Sequence, residues 1–317
     1  MKMIRWYTNM TRNEIFKQRR IDYFKNHCKI IRETMELKQS IAKSIQGSYI
    51  VKDLVANPEA MNVEIKSDKY NIRVIPFTTI HAAKLIHDAF GEDKIAVLNF
   101  ASAKYPGGYV VGGSSAQEES ICRASTLYHV LSDRKFTEGY YEYNKMYAVS
   151  YYDDSNIYHR YTDRMIYTPD IKVIAVDTED LNILPKYLYE GSWFNIDVIT
   201  SPAPNLNLLW KKTEGHIDVD KGNEFGRPTI RSAYQIRIEN MIRVAIKNHV
   251  DDLVLGAWGC GVFKNNPSDV ASEFYKVLVD KGYYKYFRHI YFAIIDDFRS
   301  VSSPYKIFNG MFGMNDM

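Results

Sequence analysis

Cysteine is scarce: Cys28, Cys122 and Cys260 are the only three in 317 residues. An odd count at wide spacing gives neither a disulfide framework nor a zinc-ligand pattern. The expectation is a reducing, cytoplasmic compartment, with a nuclear or host-cell location left open. The eight histidines form no His-Glu-x-x-His set, so no metal is expected. No run approaches the roughly 18 apolar residues of a membrane span. The first residues lack the apolar core of a signal peptide. Ser201, between Thr200 and Pro202, lacks the Gly-x-Ser-x-Gly frame of hydrolase nucleophiles. Internal repeats and low-complexity tracts are also missing. What these absences leave is a globular chain with no metal set, no disulfide scaffold and no serine elbow.

The composition is ordinary for such a chain, with 46% hydrophobic and 25% charged residues. The length allows one large domain or two small ones. Charge is uneven. Residues 1–52 hold 12 Lys and Arg against 4 Asp and Glu, a local +8, so the remainder carries −5 within the overall +3. A solvated helix face would produce this excess. So would a weak polyanion contact through residues 1–52. No DNA- or RNA-reading motif accompanies it.

Residues 11–46 read as helical, from apolar points at Ile15, Phe16, Phe24, Ile31, Met35, Ile41 and Ile45. Residues 72–75 read as a strand ended by Pro76. Thr78 and Thr79 are cap candidates for a helix carrying Ala82, Leu85, Ile86 and Ala89, which stops at Gly91. A strand over 95–100 and a helix over 117–131 follow. Residues 132–170, rich in Tyr, Asp and Asn, show no clear period and read as an insertion or ordered loop. Further strands are expected over 172–176, 196–200, 253–257 and 290–295, with helices over 230–248 and 268–281. Residues 203–228, with Pro204, Gly215, Gly222, Gly226 and Pro228, read as a flexible stretch. Strands alternating with helices mean an α/β fold, its mostly parallel sheet covered on both faces.

Residues 97–131 hold the strongest chemical signal. The strand has Asn99 near its C-terminal end, where ligands of open α/β sheets bind. Pro106-Gly107-Gly108 breaks regular structure, and Gly112-Gly113 repeats the freedom of bare backbone. Ser114 and Ser115 are N-cap candidates. Glu118 and Glu119 then stand in a first helical turn, where the dipole favours negative charge. Helix stabilisation alone would account for such a pair. Four glycines within seven residues point further, because an ordinary surface turn does not require that much chain entropy. Bare backbone beside paired carboxylates points to chemistry on a phosphate-bearing sugar. Neighbouring helical side chains diverge by about 100°, so one carboxylate can face a scissile bond while the other faces a ribose. Mutual repulsion raises one pKa and the helix dipole opposes it; the sequence leaves that balance open.

Residues 252–269 form a second candidate. A buried strand runs into Gly256, Gly259 and Gly261, and Pro267 and Ser268 open a helix. Successive amides in such a turn make an anion-binding concavity, although an ordinary tight turn is spelled the same way. Cys260 has no assigned base beside it and reads as a small residue between glycines.

Gly107-Gly108-Tyr109, seven intervening residues and Gln117-Glu118-Glu119 resemble the signature of poly(ADP-ribose) glycohydrolases: a glycine triplet, a similar spacer and Gln-Glu-Glu. The likeness is to the microbial branch. It extends to Asn99-Phe100-Ala101-Ser102, to the block from Thr200 to Asn205 and to the block from Gly256 to Phe263, in that order. It covers residues from about Thr78 to Asp296. Tyr109 departs from the pattern, standing where the third glycine is expected. The resemblance implies a macrodomain-like three-layer α/β/α sandwich with a mixed sheet. Residues 71–317 would form the glycohydrolase domain and residues 1–70 an N-terminal helical accessory region. It implies cleavage of ribose–ribose O-glycosidic bonds in poly(ADP-ribose), releasing ADP-ribose without a cofactor. Glu119 would be the general acid/base. Asn99, Ala101, Gly107, Gly108, Tyr109 and Glu118 would bind substrate around the reacting ribose. Gly259, Cys260, Gly261 and Val262 would cradle the diphosphate, and Phe263 would pack on the ligand. Competing readings are a non-catalytic ADP-ribose-binding module and a hydrolase of mono-ADP-ribosylated protein or nucleic acid.

Overall fold

In the computed structural model, which describes residues 10–313 except 92, 151–160, 221–228, 297–299 and 301–302, the strands are as follows. They are β1 (Tyr49–Val51), β2 (Ile72–Ile75), β3 (Ile95–Phe100), β4 (Met165–Val173), β5 (Ala175–Val176), β6 (Lys186–Tyr187), β7 (Phe194–Ser201), β8 (Asp252–Leu255) and β9 (His289–Ala293). Seven of them form one sheet in the order β1-β4-β7-β3-β8-β9-β2, while β5 and β6 pair separately. From β7 to β2 all neighbours are parallel. β4 and β1 run antiparallel at one edge, so the sheet is mixed.

β3 lies at the centre, and its alternation explains the layers. Ala96 and Leu98 enter one core, while Ile95 and Val97 enter the other. Helices therefore cover both faces, as expected for parallel strands. On one side lie Ile230–Lys247, Pro267–Tyr275 and Pro304–Phe312. On the other lie α1 (Arg12–Glu33) and α2 (Met35–Gly47), and, after the short α3 (Pro58–Met61), α4 (Thr79–Phe90) and α5 (Gln117–Ala124). Burying one side chain such as Leu98 contributes about 1.5–3 kcal/mol, and two such cores hold the three layers together. Among the described residues no helix is long and apolar enough to cross a membrane.

Several elements differ from the sequence reading, each for a local reason. The stretch read as helical over 11–46 is helical and forms two helices, because Thr34 is extended between them. The helix expected over 117–131 stops at Ala124. Ser125 is extended and bridges Val173, and the Ala124 carbonyl accepts the Ile174 N–H at 2.9 Å. Residues 132–170 are not one loop. Short helical segments fill 134–150, and β4 begins at Met165. A bulge between Thr168 and Ile171 hides the strand's period, with Asp170 at φ +55°. Neither Ser114 nor Ser115 caps α5: Ala116 stands at its N-cap without a side-chain bond. Thr78 does cap α4, accepting the His81 N–H at 3.1 Å. The stretch over 203–228 holds a short helix, Asn207–Lys212, and its residues 221–228 lie outside the described residues. The N-terminal region expected to be helical also supplies β1, which pairs with β4.

Candidate active site

β3 delivers the chain to the site, and α5 returns the carboxylates to it. Gln117 stitches the two together. Its Oε1 accepts the Phe100 N–H at 2.9 Å, and its Nε2 donates to the Leu98 carbonyl at 2.7 Å and to Thr79 Oγ1 at 3.0 Å. This fixes the first turn of α5 against the strand end, so Glu118 and Glu119 inherit a rigid base.

The two carboxylates are held differently. Glu118 Oε2 accepts the Ser102 N–H at 2.7 Å and Oε1 accepts from Asn99 Nδ2 at 3.3 Å. Glu119 is held through one oxygen: Oε1 accepts the Tyr109 N–H at 2.9 Å, and Oε2 makes no hydrogen bond to a described residue. Burial pushes Glu118 well above the ordinary carboxylate range. The Ser102 bond opposes this and the charge of Glu119 reinforces it. Gly108, at φ +60°, lies directly against both groups; a Cβ there would stand 2.6 Å from Glu119 Oε1. Arg123, one turn further along α5, is a buried cation. It donates to the Ser114 carbonyl at 2.6 Å and to Ser120 Oγ at 3.2 Å. Burial lowers its pKa and the charge of Glu119 raises it.

The second turn follows β8. Gly259 is at φ +76°, and a Cβ there would meet the Ala203 Cβ at 2.5 Å. Asn265 holds the turn from inside, donating to the Gly259 and Pro204 carbonyls at 2.9 Å each and accepting from the Tyr234 hydroxyl at 2.7 Å. The amides of Gly261, Val262 and Phe263 find no partner among the described residues. Unpaired amides in one exposed turn are what an anion requires. The exit of β7 forms the adjoining wall, and four successive carbonyls there are each taken by a different side chain. Trp258 Nε1 donates to Ser201 at 2.9 Å and Arg237 to Pro202 at 2.9 Å. The Tyr161 hydroxyl donates to Ala203, and Asn265 to Pro204. Two prolines and four clamped carbonyls make this edge stiff.

Both glycine turns line one cavity of about 560 Å³, within the range of about 300–1,000 Å³ typical of small-molecule clefts. Gly108, Tyr109, Glu118 and Glu119 lie on its wall from the first turn, and Gly259, Gly261, Val262 and Phe263 from the second. Asn99, Ala101 and Gly107 are buried behind that wall; Asn99 touches Glu118 and Thr200. Cys260 sits in the second turn with its thiol 3.6 Å from the Trp258 carbonyl. Two wall or support residues carried no sequence signal. Asn265 holds the second turn from 2% exposure. Asp177 lines the cavity and accepts from the Thr78 hydroxyl at 2.6 Å, and burial raises its pKa. Among the described residues no group of three or more His, Cys, Asp or Glu is placed to hold a metal ion.

The family model for the microbial-type PARG catalytic domain matches residues 23–175. No curated protein matches the chain. Among solved structures it is similar to poly(ADP-ribose) glycohydrolase from Thermomonospora curvata, at 27% identity over 93% of this chain and 100% of that one, with a TM-score of 0.71. The same enzyme bound to the inhibitor ADP-HPD gives 26% identity over 93% and 100%, at 0.70. Poly(ADP-ribose) glycohydrolase from Deinococcus radiodurans in complex with ADP-ribose gives 29% identity over 86% of this chain and 96% of that one, at 0.64. The shared fold, the near-complete coverage and the matched catalytic-domain model, with both glycine turns on one cavity, make this chain similar to the microbial-type PARG enzymes.

Proposed function

We propose that the chain is a poly(ADP-ribose) glycohydrolase that cleaves ribose–ribose O-glycosidic bonds, with Glu119 as general acid/base. The observation that carries this assignment is the asymmetry of the carboxylates. Both oxygens of Glu118 are engaged by protein donors, whereas Glu119 keeps Oε2 uncommitted on the cavity wall. A proton donor must reach the leaving oxygen within hydrogen-bond distance, and Glu119 alone of the pair has an oxygen spare for it.

Glu119 gives its proton to the departing ribose oxygen as the glycosidic bond breaks. The sugar left behind takes on oxocarbenium character. Glu119, now a carboxylate, removes a proton from the attacking water and returns to its starting form. A diphosphate held by the amides of residues 261–263 places negative charge near that cation and favours it. Glu118 accepts ribose hydroxyls through its remaining lone pairs, since each carboxylate oxygen takes two hydrogen bonds. Phe263, on the same wall, packs on the ligand.

The test pairs calorimetry with a turnover assay. ADP-ribose should bind the native chain, and poly(ADP-ribose) should be converted to ADP-ribose. Glu119→Gln should keep the binding and lose turnover by about 10²–10⁴-fold. Binding without product in the native chain would instead mean a non-catalytic ADP-ribose module. Full turnover by the folded Gln variant would discard Glu119 as the acid/base.

A further inference from the structure

The cavity has room for about one nucleotide-sugar, so a polymer cut at Glu119 must leave across the rim beside that residue. The rim residue bonded to Glu119 is Tyr109, whose amide grips Oε1 at 2.9 Å while its ring is 61% exposed. The ring lies against Gly112, where a Cβ would stand 2.1 Å from its Cε1. A third residue completes the arrangement. Exposed Lys17, from basic α1, holds its Nζ 5.8 Å from the ring centroid, at the outer limit of about 6 Å for a cation–π contact. Its charge is therefore available to a ligand lying on the ring. α1 is anchored at this spot, because Arg20 Nε donates to the Gly113 carbonyl at 2.7 Å. Tyr105 of the same loop has a similar neighbour, with Lys145 Nζ of the helix over Tyr143–Ser150 4.8 Å from its ring centroid.

We propose that Tyr109 and Lys17 form a subsite beyond the scissile bond, which takes the adenosine diphosphate portion of the adjoining ADP-ribose unit. The base or ribose packs on the Tyr109 ring, and the diphosphate pairs with Lys17. An exposed aromatic beside a lysine is the combination that holds single-stranded polyanions carrying stackable bases. The glycine that the family signature places here would leave the rim bare. The side chain at position 109 would thereby make the enzyme discriminate a polymer from a single terminal unit. This inference rests on the glycohydrolase reading.

The experiment uses the full chain carrying Glu119→Gln, so that the polymer stays intact. Calorimetry with ADP-ribose and with a short, sized poly(ADP-ribose) oligomer gives a ratio of affinities. The oligomer should bind tighter than ADP-ribose. Adding Tyr109→Ala should cut that ratio of oligomer to ADP-ribose affinity about tenfold. Tyr109→Phe should retain the advantage. Lys17→Ala, an exposed change outside the cavity, should remove the salt-dependent part of it. An oligomer advantage untouched by both Tyr109→Ala and Lys17→Ala overturns the subsite, as does the lack of any advantage in the parent. Failure of ADP-ribose itself to bind would overturn the function proposed above, and the subsite with it.

Discussion

Gly108 and Glu119 are packed so closely that no side chain fits between them: a Cβ on Gly108 would stand 2.6 Å from Glu119 Oε1 and 2.9 Å from Glu118 Oε2. The turn and the carboxylate pair are thus one mechanical unit. Alanine at this position also meets a φ of +60°, which L side chains rarely adopt. Gly108→Ala should leave a folded protein whose kcat falls by about 10²-fold, because an acid displaced by a fraction of an ångström to an ångström loses its alignment. Thermal melting and steady-state kinetics on the same preparation check this. Unchanged kcat in a folded Gly108→Ala variant would mean that the carboxylates do not depend on this turn.

Glu118 makes stability depend on pH in a particular direction. Burial raises its folded pKa; the Ser102 amide opposes the shift and repulsion from Glu119 adds to it. A carboxyl with a raised folded pKa binds its proton more tightly in the native state than in the unfolded chain. Its favourable contribution is present at low pH and is lost as pH rises from the unfolded value of about 4.3 through the folded value. Glu118→Gln cannot ionise and has no such loss. Urea denaturation of both proteins across that window should show the native chain losing stability relative to the variant as pH rises. Parallel curves would rule out a raised Glu118.

The parts of the site that were legible in the sequence are those whose causes are local. The apolar run of β3, the glycines after it and the paired carboxylates lie within about two dozen residues, so periodicity and punctuation suffice. What was hidden depends on distant partners. The β7 exit is held by Trp258, Arg237, Tyr161 and Asn265, each at least 35 positions away from the carbonyl it takes. Nothing beside Ser201 or Pro204 announces them. Most of β4 was missed, with only its end at 172–173 read as strand, because Pro169 and Asp170 sit at its bulge and read as loop. The helix after Glu119 was extended too far because a stripe of apolar residues continues past Ser125. That residue is extended and bridged to Val173, so tertiary pairing overrides the local period.

Asn265 links three segments through one buried amide. Asn265→Ala would leave the Pro204 carbonyl and the Tyr234 hydroxyl without their present partners. Losing buried partners of this kind costs about 1–3 kcal/mol for each group left unsatisfied. The second turn would also lose the Nδ2 bond to the Gly259 carbonyl, while the backbone bond from the Asn265 amide remains. Lower stability in urea should therefore come with an ADP-ribose affinity weakened about tenfold. An Asn265→Ala variant that is destabilised but binds ADP-ribose as before would show that the 259–263 turn is not the diphosphate cradle.

All three thiols should be inert in the native protein. Burial raises the pKa of Cys28, Cys122 and Cys260 alike, and for Cys122 the charges of Glu118 and Glu119 raise it further. The thiolate is the reactive species, so each is suppressed near neutral pH. Cys260 is the informative one, because it sits in the turn proposed to hold the diphosphate. Were it a nucleophile, it would need a base or a positive environment that lowers its pKa, and burial here does the reverse. A thiol reagent added to native protein near neutral pH should react slowly and leave turnover intact. Unfolding in denaturant should then release all three groups. A single fast-reacting native thiol, protected by ADP-ribose and needed for turnover, would put covalent thiol chemistry in the cavity and displace Glu119 from the centre of the mechanism.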